Sequence, residues 1–422
     1  MADQLLMEHR GARLDFCHMP HTRIDTLDHL RAMAQLAIQI ELTTIPAYLT
    51  TLYSISDRTS DAYQTVRSVV VEEMFHLNQA ANLLVGIGGR PVLTGAAVPL
   101  YPAYLPSADK AETPYVGLYR GSPAVFRNVF MVIETPAPFT APPEGENYQT
   151  IAQFYKALWD GICLCVARFG EAAVFRQDPA AEQRTDLYLG KFGGRPVAVT
   201  SKDTAWDGIV QIIQQGEGAV DPTRTIVPTQ PFGAYGHYGL RTDGTYGPIL
   251  GTPYELSHYY KFMAVANAPN FPDTLPIVSN PRRSEFVNPE ALKALDAFNT
   301  AYSVMLKSFE TVFSSGAGDN DVFFKSTLPI MCDGLPALAS LLMTTPVFAD
   351  GDASVGPNAA PTFEYVEQPT LGAVIATLDE LGAAPIEAGV LSAPGKRSAL
   401  ARTAAGRFRK LQQMCAASGF VL

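Results

Sequence analysis

Two copies of Glu-x-x-His, Glu73–His76 and Glu255–His258, lie far apart in the chain, each in a stretch that reads as a buried helix. A carboxylate and an imidazole three residues apart project from one helix face and can grip a single ion. A third apolar helix carries one charge between Ala32 and Ser56, and that charge is Glu41. Its stripe of Ala34, Ala37, Ile38, Glu41, Ile45, Tyr48 and Leu52 has helical spacing. A carboxylate inside such a stripe is costly unless a metal ion, an arginine or a shared proton compensates it. Glu73 and His76 fall in a second stripe of Val66, Val69, Ala80, Leu83 and Ile87, whereas Glu72 shares a face with Thr65, Ser68 and Gln79 and reads as solvated.

A lone Glu-x-x-His is common by chance. Two copies plus a separate Glu match the ligand set by which a four-helix bundle holds two metal ions between its helices. In that arrangement Glu73 and Glu255 bridge, His76 and His258 each bind one ion, and Glu41 is a terminal ligand. Carboxylate and imidazole suit iron or manganese, with zinc also compatible. A second terminal carboxylate is expected from the remaining helix, and the candidates are Gln153, Asp160 and Glu217, none of them a clean match. Tyr48 either supports the site or packs beside it. Two weaker candidates are the Cys17-His18-Met-Pro-His21 cluster and His237 in a Gly/aromatic loop. No phosphate-binding glycine pattern or nucleophile elbow occurs.

Those residues must be positioned by a chain of 422 residues, 47% hydrophobic and 17% charged, which easily fills a large core. A net charge of −10 argues against a nucleic-acid partner, and the basic stretch from Lys396 to Lys410 reads as a solvated helix face. Residues 32–56 are apolar but contain Gln35, Gln39, Glu41 and Pro46, unlike a lipid-facing span. Five cysteines without a framework pattern fit a reducing compartment, and the N-terminus does not read as a signal peptide, so the expectation is a cytoplasmic location with no membrane partner.

The helices expected are 25–53, kinked at Pro46, then 60–87, 122–132, 150–170 and 206–215. Further helices are expected over 254–267, 288–314, 320–344, 370–382 and 396–417. Residues 195–200 are the best strand candidate, within a loop-rich insertion over about 176–252. The domain expectation is a helical domain over 24–345 containing that insertion, followed by a linker and helical extension over 346–422.

Several segments together resemble a known family. They are Glu41-Leu-Thr-Thr-Ile-Pro-Ala-Tyr-Leu-Thr-Thr-Leu-Tyr53, Glu72-Glu-Met-Phe-His-Leu77 with Asn82-Leu-Leu-Val-Gly-Ile-Gly-Gly89, and Thr150-Ile-Ala-Gln-Phe-Tyr155. Gln215-Gly-Glu-Gly218, Ser257-His-Tyr-Tyr-Lys-Phe262 and Ala360-Pro-Thr-Phe-Glu-Tyr365 complete the set. In this order, over roughly residues 25–367, they resemble the ferritin-like iminophenyl-pyruvate dimer synthase family. Its members include the ferritin-like part of enzymes that oxidatively couple imine forms of aromatic 2-oxo acids. The resemblance implies a mainly α, ferritin-like four-helix bundle with additional C-terminal helices, and places Glu41, Glu73, His76, Glu255 and His258 at metal-ligand positions. Two departures are Gln153, where an acid is expected, and the haem-containing portion of the coupling enzymes, which these 422 residues do not include.

The resulting expectation is a metal-dependent, di-iron oxidoreductase acting on a small aromatic 2-oxo or imino acid, with a homo-oligomer compatible. The alternative is a ferritin-like metal-binding or scaffold protein without turnover.

Overall fold

The computed structural model describes residues 23–105, 115–135, 150–176, 182–185, 196–216, 256–313, 322–383 and 393–417. The two longest helices of the site region are α1, Leu27–Ser54, and α2, Asp61–Gly86, packed along each other. Thr26 caps α1 by accepting the His29 amide, and Ser60 caps α2 by accepting that of Tyr63. From Ile40 to Leu52 every residue of α1 is buried, so this helix has no solvent face there. Pro46 lies inside α1 and deprives the Leu42 carbonyl of its intrahelical donor. At the far end of α2, Gly88 takes φ +79°, where a side chain would be strained. A Cβ on Gly86 would come within 2.6 Å of the Val199 carbonyl oxygen, so only glycine lets that segment approach.

Helix α3 covers residues 123–133 in three joined parts: Pro123–Val125, a π-helical turn Phe126–Phe130, and Met131–Ile133. Ser122 caps it, with Pro123 in the first turn, where no amide is needed. Helix α4, Ile151–Phe169, opens on a reciprocal capping box between Thr150 and Gln153. Helix α5 is Lys202–Gly216 and α6 is His258–Ala266. Helix α2 packs on α5 and α6, α4 packs on α1 and α5, and α3 packs on α6.

A second group of helices follows. Helix α7, Pro289–Val312, is capped by Asn288. Helix α8, residues 322–342, contains π turns at Phe323–Thr327 and Ile330–Gly334 before Leu335–Leu342. Helices α9, Leu371–Gly382, and α10, Ala393–Ala417, pack on each other, α9 lies on α7, and α8 touches α1. Most buried apolar residues form one cluster from Ile24 to Cys415, with Ile277, Met343 and Ala360 in a small second one. The molecule is thus mainly helical, a bundle with additional C-terminal helices. Among the described residues no helix is long and apolar enough to cross a membrane.

The expected strand is not formed among residues 196–200. This extended segment is held by side-chain amides instead of a neighbouring strand. Gln79 accepts from Val197 N at 2.8 Å and donates to its carbonyl at 3.2 Å, and Gln183 does the same for Val199 at 2.6 and 2.8 Å. The basic face of α10 is only partly solvated, since Arg397 pairs with Glu290 and Arg409 with Asp379.

Gln153 serves the start of its own helix, and Asp160 lies at the surface. The Gln153 side-chain oxygen Oε1 accepts the Thr150 amide at 3.3 Å, and Asp160 is exposed and paired with Lys156. Gln153→Ala is therefore expected to lower folding stability by about 1 kcal/mol, the typical worth of a cap, in denaturant unfolding, while metal content stays unchanged.

Candidate metal centre

Among the described residues, four carboxyl groups, two imidazoles and one ammonium meet in the core between α1, α2, α3 and α6. Glu41, Glu73 and His76 are each 2% exposed, Glu134 is 1%, and Glu72, His258 and Lys261 are 0%. Glu41 lies mid-way along α1, and Glu72, Glu73 and His76 lie on α2. Glu134 caps the C-terminal end of α3, after the single turn Met131–Ile133 that follows its π turn. His258 is the first residue of α6, and Lys261 follows one turn later.

The two imidazoles are turned the same way. His76 Nδ1 faces Glu41 Oε2 at 3.5 Å and Glu73 Oε1 at 3.8 Å. His258 Nδ1 faces the same Glu73 oxygen at 2.8 Å and Glu134 Oε1 at 3.6 Å. Each Nε2 points outward to an acceptor, Gln215 Oε1 for His76 and Glu72 Oε2 for His258, both at 2.9 Å. The rings stack with centroids 5.3 Å apart. An accepting oxygen at Nε2 places a proton there and leaves the Nδ1 lone pair aimed at carboxylate oxygens.

Lone pairs facing carboxylates repel unless a cation or a proton lies between them. Among the described residues the buried His258 Nδ1 has no hydrogen-bond partner, although Glu73 Oε1 lies 2.8 Å away. Glu73, His76 and His258 offer ligand atoms all within 4.8 Å of one another. Among the described residues, four carboxyl groups against one ammonium leave an anionic cluster inside an apolar core, where each uncompensated ion costs several kcal/mol. Carboxylate oxygen and imidazole nitrogen are the donor set of iron and manganese. On this donor set and this orphaned nitrogen, the residues fit a metal.

The carboxylates are also held from outside. Tyr155 donates to Glu41 at 2.5 Å, Tyr48 to Glu134 at 2.6 Å, and Thr44 to Glu73 Oε2 at 2.6 Å. Burial, reinforced by Glu134 for Tyr48 and by Glu41 for Tyr155, raises both phenols well above their ordinary range, so both stay protonated donors. Tyr48, Phe130 and Phe262 pack as a ring cluster behind the centre, with centroids 4.7 to 5.3 Å apart.

Of the five ligands expected from sequence, Glu41, Glu73, His76 and His258 converge. Glu255 lies outside the described residues, as do Glu217, His18, His21 and His237. Leu256 and Ser257 are not helical, and α6 begins at His258. Glu72 corrects the expectation of a solvated residue. The polar face of α2 is covered by α5 and α6, and Lys261 meets both of its oxygens. Glu134 was missed. Its signal is a single acid closing the apolar run from Val129 to Ile133, just past where the helix was expected to stop. Its Oε2 would lie 3.2 Å from a Cβ on Gly216, so a bare glycine backs it.

The family model described as Ferritin-like matches residues 34–267, over half of the chain. The chain belongs to the ferritin-like family. A crystal structure of a ferritin-like protein from Caulobacter vibrioides resembles it in fold, with TM-score 0.54, 22% identity, and coverage of 81% of this chain and 99% of that one. No curated protein matches the chain. The family match takes in every carboxyl and imidazole group of this ferritin-like centre.

Without metal, burial alone would lower the basicity of His258, but Glu134, Glu72 and Glu73 together outweigh it and raise its pKa well above 6.5. His76 is raised too, with Glu41 and Glu73 overcoming burial. Glu73 is raised chiefly by burial, against the lowering contact of His258. Groups raised on folding stabilise at pH below their unfolded pKa, and that stability is lost as pH rises through the folded pKa. The metal-free protein should therefore lose thermal stability as pH rises from about 6.5, the unfolded histidine value, into the alkaline range. Divalent iron, which needs deprotonated ligands, should raise Tm more at the alkaline end. Thermal melts across that range, with and without metal, check both slopes.

Proposed function

We propose that this ferritin-like chain is a metal-dependent oxidoreductase of the iminophenyl-pyruvate dimer synthase type. It would hold two iron ions between Glu41, Glu73, His76, Glu134 and His258, and act on a small aromatic 2-oxo or imino acid. The observation that carries the metal assignment is the pair of Nδ1 atoms aimed at the carboxylates of Glu41, Glu73 and Glu134. Glu73, within reach of both imidazoles, would be shared between the ions, with Glu41 and Glu134 each serving one of them. Bound iron supplies Lewis-acid and redox chemistry there.

The protein's share is positioning and exclusion of water. Tyr155, Tyr48 and Thr44 fix the carboxylates by donated hydrogen bonds. Burial of every group around the centre keeps bulk water away and strengthens each electrostatic contact. The substrate class rests on the sequence resemblance. Its separated motif segments supply Glu41, Thr44, Tyr48, Glu72, Glu73, His76, Tyr155, Gln215, His258 and Lys261 to one place in the fold. That convergence supports reading the segments as one functional unit.

Metal analysis of protein purified without chelator, with oxygen uptake by the iron-loaded form, tests the proposal. Expected is bound iron, much reduced in Glu73→Ala, Glu134→Ala and His258→Ala. Oxygen consumption should require an aromatic 2-oxo acid plus ammonia. Wild type that neither retains nor takes up iron contradicts the metal centre. Iron-loaded wild type that consumes no oxygen with any such substrate points to a metal-binding protein without turnover.

A further inference from the structure

Among the described residues, the two halves of the buried centre match group for group, except at one place. On one side His76 faces Glu41, and Glu41 accepts from Tyr155. On the other His258 faces Glu134, and Glu134 accepts from Tyr48. Glu73 Oε1 lies between the two imidazoles. The difference is behind the rings. The outer nitrogen of His76 meets the neutral amide of Gln215, whereas that of His258 meets the carboxylate of Glu72.

Glu72 is separated from the ligands proper by where its oxygens are spent. Lys261 Nζ donates to both of them, at 2.7 and 2.6 Å, and one also takes His258 Nε2. Both residues are completely buried. A lysine in this position balances the carboxylate and fixes its plane beside the imidazole. A charge-assisted hydrogen bond is roughly twice as strong as a neutral one. A carboxylate behind a ligating histidine also makes the opposite nitrogen a better donor to metal.

Resting on the reading of this cluster as a metal centre, we propose that Glu72, fixed by Lys261, is a positioning residue that holds His258 with Nε2 protonated and Nδ1 turned inward. The consequence is unequal halves. The His258–Glu134 half binds a metal ion more tightly than the His76–Glu41 half and loads first.

Anaerobic calorimetric titration of the full chain with iron(II) tests this. Wild type should bind in two distinguishable steps. Glu72→Gln should weaken the tighter step about 10- to 100-fold and leave the weaker step largely unchanged, with the metal-free melting temperature recorded alongside. Gln215→Ala should act on the weaker step alone. Wild-type binding in one class of equal sites, or a Glu72→Gln protein whose two steps match wild type, overturns the proposal while leaving the metal centre standing. A wild type that binds no iron at all removes the reading beneath it. Should Glu72→Gln fail to fold, nitrogen NMR of zinc-loaded wild type decides. A protonated Nε2 on His258 is expected, and metal bound through Nε2 is the overturning result.

Discussion

Anionic oxygen facing imidazole lone pairs in an apolar core is the constraint to which the surrounding structure answers. Left alone, the arrangement costs several kcal/mol per uncompensated ion, comparable to the whole stability of an ordinary domain. Two cations can relieve it, protons or metal ions. Protons do so partially, which is why His76 and His258 are raised in basicity against the pull of burial. A divalent ion does so with the donor set already assembled.

The placement of the groups on their helices points the same way. Glu134 closes the C-terminal end of α3, and His258 opens the N-terminal end of α6. Helix dipoles disfavour a carboxylate at the first and an imidazolium at the second, by about 0.3–1 kcal/mol each. These are small terms beside the charge cluster, but both oppose the ion pair that would form without metal. Long regular helices carry Glu41, Glu73 and His76, whereas the ends of two short helices carry the rest. The π turn at Phe126–Phe130 shifts the register of α3 just before Glu134, a distortion often found at functional sites.

The fold was legible where the sequence has strong periodicity and caps. Thr26, Ser60, Thr150 and Asn288 each start a helix within about one residue of the expected place. The site was legible where an acid interrupts an apolar stripe, as at Glu41 and Glu73. It was not legible where burial is decided by a partner distant in sequence. Glu72 looked solvated because its face is polar, and only the packing of α6 shows that the face meets Lys261. Glu134 was hidden because a π turn breaks the 3.6-residue period by which stripes are read. Gln153 looked like a ligand substitute because its motif position matched, while its side chain serves the start of its own helix.

The most direct measurement is anomalous scattering from crystals of the iron-loaded protein, recorded on both sides of the iron edge. The account predicts iron peaks between the Nδ1 atoms of His76 and His258 and the carboxylates of Glu41, Glu73 and Glu134. Iron found elsewhere, or a loaded crystal with none beside those nitrogens, would contradict it.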